Sequence, residues 1–166
     1  MDFLELVKQR RSIRDYADKP IPNDILEKIV DAARFAPTAR GVEPWEFIVI
    51  TSREKLQKIA QIADTGKFIA NAAACIAVFC SDTKYYLEDG SAATENILLA
   101  AAALGVGSCW VAGDKKPYTQ EIADFLKLPP TVKLVSLISL GYPKYAESFK
   151  IANKRPLRDV IHWENF

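Results

Sequence analysis

The sequence predicts an α+β fold in which helices pack around a central mixed sheet. Three observations carry that reading. Helical and strand-like stretches follow one another without the regular βαβ alternation of a doubly wound fold. The run ACIAVFC (74–80) is continuously apolar, as in a strand covered on both faces. The stretch SAATENILLAAAALG is apolar over most of a helical circumference, which suits a helix central to a domain or buried between subunits.

The elements follow in order. Residues 2–10 form a short helix with Phe3, Leu6 and Val7 on one face. A second helix runs over 24–35, with Asn23 as its N-cap, Ile25, Ile29 and Ala33 at helical spacing, and Pro37 as its stop. The turn-rich loop PTARGVEP leads into the strand WEFIVIT (45–51). Ser52 caps a helix reaching residue 63, and the buried strand 74–80 follows. The longest helix covers 88–104 and ends at Gly105. GSCWVAG (107–113) is a short strand, Thr119 opens a helix to residue 127, and TVKLVSLISLG (131–141) is a central strand. The tail from 142 is irregular and finishes in the strand-like DVIHW. Without a repeat, a low-complexity segment or a linker, residues 1–166 read as one domain.

Composition narrows the function. The chain is 49% hydrophobic and 26% charged, which excludes disorder, and no apolar run reaches the roughly 18 residues of a membrane helix. The charged, amphipathic start is unlike a signal peptide. Cys75, Cys80 and Cys109 are odd in number, form no CxxC pair and lie in apolar runs, so they read as buried thiols of a cytoplasmic protein. His162 is the only histidine, which leaves neither a zinc pattern nor a well-founded serine triad.

A net charge of +1 argues against a general nucleic-acid surface, yet it hides an uneven distribution. Residues 8–14 and 144–158 hold nine of the 22 basic groups and one of the 21 acidic groups, Glu147. The remaining 13 basic and 20 acidic groups leave an acidic body between two cationic ends. A small anion suits that arrangement better than a long polyanion.

The glycine pair in GVGSCW fails as a dinucleotide fingerprint, because Trp110 stands at the third glycine and the pair follows a helix rather than a strand. A P-loop is absent as well. The more specific feature is Arg10-Arg11-Ser12-Ile13-Arg14, at the end of the first helix. Guanidinium groups bind phosphate through paired, charge-assisted hydrogen bonds, and NKR before Pro156 offers a second cationic wall.

Four segments, RRSIRDYADKPIP, AARFAPTARGVEPWEFIVI, ENILLAAAALGVGSCWVAG and KRPLRDVIHWE, together resemble the FMN-dependent nitroreductase family over nearly the whole chain. The resemblance implies that family's three-layer fold and a homodimer with FMN at the subunit interface. It also implies a C-terminal segment exchanged between subunits. By position, Arg10, Arg11, Ser12 and Arg14 would hold the phosphate and ribityl chain, with Lys154 or Arg155 closing from the tail. Pro37, Thr38, Ala39 and Gly41 would meet the isoalloxazine ring from the other subunit. Trp110, Val111, Ala112 and Gly113 would pass the opposite part of the ring, with the Ala112 backbone near N5.

The implied reaction is hydride transfer from NADH or NADPH, then reduction of a nitroaromatic, a quinone or a related acceptor in the same place. The flavin carries that chemistry, so no catalytic side chain is required. Two departures bear on the substrate. Gly41 and Glu43 replace the family's usual Asn and Gln, and the link SDTKYYLED is short, with Tyr85 and Tyr86 as candidate pocket walls. Dehalogenation, a specialised dehydrogenation, or flavin binding with little turnover are the alternatives on the same fold.

Overall fold

The structure, a computed structural model, describes residues 2–145 and 148–166; Glu147, counted above with the cationic tail, lies outside them. Helices α1 (Phe3–Gln9) and α2 (Asn23–Ala33) precede strand β1 (Trp45–Ile50). Helix α3 (Arg53–Ile62) and a 3-10 segment (Asp64–Asn71) lead to β2 (Ala74–Ser81). Then come α4 (Tyr86–Ala103), β3 (Gly107–Ala112), α5 (Thr119–Phe125) and β4 (Val132–Gly141).

The sheet order is β1-β2-β4-β3, and all three pairings are antiparallel. The mixed character expected from the sequence reduces to one parallel bridge, between Ser12 and Ser108. Side chains of β2 alternate between two cores, as the period of a strand requires. Ile76, Val78 and Cys80 meet α2 and α4 through Leu26, Ile29, Ala93 and Ile97. Cys75, Ala77 and Phe79 meet α3 and α5 through Leu56, Ile59 and Ile122. The result is three layers. The cysteines are buried as expected, and burial pushes the Cys75 and Cys80 thiols up to about 12.

One irregularity fixes the end of β3. Between Val78 and Phe79 the register with β4 shifts, so Val78 faces Ser136 while Phe79 faces Leu134. Val135 is the extra residue of a β-bulge. Its carbonyl accepts instead from the N–H groups of Gly113 (3.0 Å) and Asp114 (3.3 Å), just beyond β3.

Three local readings differ from the structure. Pro22, not Asn23, holds the N-cap position of α2, and its carbonyl accepts from Ile25 and Leu26 at 3.1 and 3.2 Å. The 3-10 segment Asp64–Asn71 had no sequence signal. DVIHW forms no strand; it follows a 3-10 turn (Leu157–Asp159) and is exposed, because no neighbouring strand of the chain offers it a hydrogen-bond ladder.

Helix α4 packs on the sheet with Gly90 at a place too tight for a side chain. A Cβ there would stand 2.6 Å from Val135 Cγ2 and 3.0 Å from Cys80 Sγ. Gly90→Ala is expected to lower unfolding stability by about 1–3 kcal/mol through overpacking. Urea denaturation checks this, and an unchanged midpoint would contradict the seating of α4.

Candidate cofactor site

The basic segment is anchored at the end of α1 and, beyond it, at the edge of the sheet. Helix α1 ends at Gln9, leaving carbonyls without intrahelical partners. Arg11 satisfies two of them, donating to Lys8 O at 2.6 Å and to Arg10 O. Arg10 Nε lies 3.8 Å from Glu95 Oε1 on α4. The chain then joins the sheet, where the Ile13 N–H donates to Ser108 O at 2.9 Å. Ile13 and Tyr16 are buried, and the Tyr16 hydroxyl donates to Ile13 O at 2.5 Å and meets Ser139 Oγ at 2.6 Å. Ser12 and Arg14 are left exposed between these anchors. The Arg14 guanidinium lies 5.5 Å from the centre of the Phe68 ring. Arg10, Ser12 and Arg14 also flank Cys109: burial raises its thiol pKa, and their charges and hydrogen bonds oppose the rise.

The two cationic ends meet. A cavity of about 310 Å3 is lined by Val7, Lys8, Arg10, Arg11, Glu95, Ile151, Ala152 and Lys154. Lys154 is therefore the tail cation beside Arg10 and Arg11. Arg155 turns away, donating to Asp159 O at 2.6 Å. Lys8 is held by Glu5 at 3.0 Å, and Glu95, 3.8 Å from Arg10, is the acid among the lining residues.

The loop between α2 and β1 is strained. Arg40, Gly41 and Glu43 have φ of 61°, 65° and 49°, in the left-handed region that disfavours residues carrying a Cβ. Asp89, buried at the start of α4, fastens the loop: the Ala39 N–H donates to Oδ1 at 2.9 Å and the Thr38 hydroxyl to Oδ2 at 3.2 Å. Thr38 Oγ1 accepts in turn from the Glu43 N–H at 3.1 Å. The loop faces a recess of about 100 Å3 shared with Thr83, Lys84, Tyr85 and Asp89.

At the end of β3, Val111 enters the α3–α5 core, while Trp110 and Ala112 point to the other face and are exposed. The backbone here is clamped. The Tyr118 hydroxyl donates to Ala112 O and the Thr119 hydroxyl to Gly113 O, each at 2.5 Å. With the Val135 carbonyl on the other side, both edges of Ala112–Asp114 are fixed. Tyr86 is not a free pocket wall, since its hydroxyl donates to Asp114 Oδ1 at 2.7 Å. Tyr85 remains at the recess.

Of the residues expected to form the site, the structure gathers Arg10, Arg11 and Lys154 in one cavity, with Ser12 and Arg14 adjoining. Pro37, Thr38, Ala39 and Gly41 belong to a separate region. Asp89, Glu95 and Tyr118 had no individual signal, and Thr119 read only as the start of a helix. Asp89 reads in sequence as an ordinary first-turn acid of a helix.

The nitroreductase family model matches residues 7–86 and 67–142. The chain belongs to the nitroreductase family. A relative from Archaeoglobus fulgidus is 40% identical over 173 residues, covering 99% of each chain, and is provisionally named an NADH dehydrogenase/NAD(P)H nitroreductase. The structure of an FMN-dependent nitroreductase from Clostridium difficile R20291 is 32% identical, with a TM-score of 0.90, covering 98% of this chain and 99% of that one. A nitroreductase-type structure from Desulfovibrio desulfuricans, solved in complex with FMN, is 27% identical, with a TM-score of 0.85 and coverage of 100% and 98%.

In this nitroreductase-family chain, hydrogen bonding to Asp114 pushes the Tyr86 hydroxyl up to about 12 from an ordinary 10. A folded-state pKa above the unfolded one stabilises fully below pH 10, and the gain is lost as pH rises towards 12. The stability difference between the parent protein and Tyr86→Phe should therefore be constant below pH 10 and shrink above it. Urea midpoints across that range check it; a difference independent of pH would refute the Tyr86–Asp114 bond.

Proposed function

We propose that this FMN-dependent NAD(P)H oxidoreductase reduces nitroaromatics, quinones or related acceptors by ping-pong hydride transfer, as a cytoplasmic homodimer with FMN at the subunit interface. The observation that carries the reading is the meeting of Arg10, Arg11 and Lys154 at one cavity. Two segments from opposite ends of the chain converge there, and their donors suit the phosphate of a mononucleotide. FMN, once bound, supplies the two-electron chemistry.

The chain's own residues bind and orient. Arg10 and Lys154 would hold the phosphate, and Ser12 and Arg14 the adjoining ribityl chain. Arg11 would act at one remove, because its guanidinium already serves the carbonyls at the end of α1. The clamp on the Ala112 carbonyl and on Gly113 would hold the Ala112 N–H in a fixed position towards the ring, with no reorganisation during reaction. Trp110 and Val111 continue that wall. Pro37, Thr38, Ala39 and Gly41 would complete the site from the partner subunit.

Three features support the dimer. The loop residues lie outside the cationic cavity of their own chain, so a site using both needs a second copy. The tail exposes Leu157, Val160, Ile161, Trp163 and Phe166, an arm without a core of its own. Among the described residues strand β1 is an unpaired sheet edge, and a groove of about 500 Å3 beside it is lined by Leu26, Val30 and Val49 together with Glu27, Asp31 and Arg34. That edge and groove suit the exchanged arm of a partner.

Titrating the purified protein with FMN, followed by anaerobic mixing with NADH and with NADPH, tests the reading. Flavin uptake and bleaching by at least one donor are expected. A protein that takes up FMN and is reduced by neither would not be an NAD(P)H oxidoreductase. Arg10→Ala and Lys154→Ala should each weaken FMN binding about 10- to 100-fold, the loss of a charge-assisted contact of roughly 1.5–3 kcal/mol. Lys154→Ala should outweigh Arg155→Ala; the reverse order would move the phosphate contact to Arg155. Sedimentation should give a dimer that dissociates when residues after 156 are removed, and a dimer unaffected by the truncation would exclude arm exchange.

A further inference from the structure

We propose that Asp89 is the positioning residue of the isoalloxazine-facing loop: it holds Pro37–Glu43 in its strained form without touching the cofactor. The inference rests on the flavin reading for the identity of the ring, but the anchoring itself stands on the geometry.

Both carboxylate oxygens of Asp89 are directed at the loop. Oδ1 accepts the Ala39 N–H at 2.9 Å and Oδ2 the Thr38 hydroxyl at 3.2 Å. Asp89 is 5% exposed, so these bonds lie away from competing water, and the aspartate has no ion pair among the described residues. A buried carboxylate without a cation is retained only where hydrogen bonds replace its hydration. Here those bonds come from the loop alone.

The loop needs such an anchor. Two non-glycine residues and one glycine in four positions adopt left-handed backbone, an arrangement that persists only when its surroundings impose it. Thr38 transmits the constraint: its hydroxyl donates to Asp89 and its oxygen accepts from Glu43, joining the two ends of the turn. One carboxylate thus fixes Ala39 directly and Glu43 through Thr38. The helix bearing it is packed closely on the sheet at the neighbouring residue, Gly90, where a Cβ would stand 2.6 Å from Val135 Cγ2.

Asp89→Ala removes both acceptors, and Asp89→Asn keeps the shape with one acceptor oxygen. Limited trypsin digestion of the full chain, with and without FMN, reads the loop through cleavage after Arg40. The expected result is cleavage at least about tenfold faster in Asp89→Ala, with Asp89→Asn between it and the parent, as local opening becomes easier. With FMN bound, the visible flavin spectrum and fluorescence should change in Asp89→Ala while phosphate-dependent binding changes less than about threefold, since Arg10 and Lys154 are untouched. Thr94→Val is the control for simple destabilisation: it breaks the buried Thr94–Ser136 hydroxyl contact of 2.8 Å on the same helix. It should lower the melting temperature and leave cleavage after Arg40 unchanged.

Parent-like cleavage in both Asp89 variants would overturn the anchoring, as would equal acceleration in Thr94→Val. Faster cleavage with an unchanged flavin spectrum would overturn the assignment of this loop to the ring. If Asp89→Ala does not fold, Asp89→Asn and Thr38→Val decide the same question by the same cleavage. A parent protein that takes up no FMN would overturn the flavin reading instead, while the cleavage series would still decide the anchoring.

Discussion

The close seating of α4 on the sheet is the constraint on which the rest of the structure depends. A helix can approach a sheet this closely only where a side chain is missing, and Gly90 against Val135 provides that place. From there α4 reaches every segment of the candidate site. Asp89 fastens the loop before β1, and Glu95 lies by Arg10. Asn96 donates to Ala32 O of α2 at 3.0 Å, and Thr94 meets Ser136 of β4. A displacement of α4 would move the loop and the cationic cradle together.

The electrostatics follow from this scaffold. Four cations crowded at the end of α1 repel one another, and the structure separates their roles. Lys8 pairs with Glu5, Arg11 satisfies the carbonyls of the helix end, and Arg14 packs over Phe68. Arg10 keeps only a loose 3.8 Å approach to Glu95, the weakest commitment of the four. A long pair of this kind contributes little by itself and leaves the guanidinium free to exchange Glu95 for a better-placed anion. Lys154 arrives from the other end of the chain to the same cavity.

What could be read from the sequence was periodic. The continuous apolar run of β2, covered on both faces, the apolar circumference of α4 and the cap at Ser52, whose oxygen accepts from the Lys55 N–H at 3.4 Å, all follow local rules, and the structure agrees with them. The clustering of basic residues near both ends was legible too, although not that Arg11 would cap a helix while Lys154 faced the cavity. The rest depends on contacts distant in sequence. Asp89 looks like any acid in a first helical turn until Thr38 and Ala39, fifty residues earlier, are brought to it. The bulge at Val135 has no composition of its own, because its register is set jointly by β2 and β4. DVIHW has strand composition, but a strand also needs an edge to pair with, and composition does not supply one.

In the proposed site no side chain has to donate or remove a proton for hydride transfer, so what the protein must supply is position. Position at Ala112–Asp114 comes from hydroxyls of Tyr118 and Thr119 on one side and a bulge carbonyl on the other. Position at Pro37–Glu43 comes from Asp89. Tyr118, Thr119 and the Val135 carbonyl are engaged by backbone groups and Asp89 by the Ala39 N–H and the Thr38 hydroxyl, whereas Gly41 and Glu43 are exposed in the loop and Tyr85 lines the recess. The two sets therefore carry different burdens. In the proposed site an exposed group would bear on which acceptor fits, while a clamp would bear on the geometry for every acceptor at once. Gly41 and Glu43 are exposed in the loop that Asp89 holds and lie apart from the clamped backbone of Ala112–Asp114, so the family departures at these two positions leave that clamp intact.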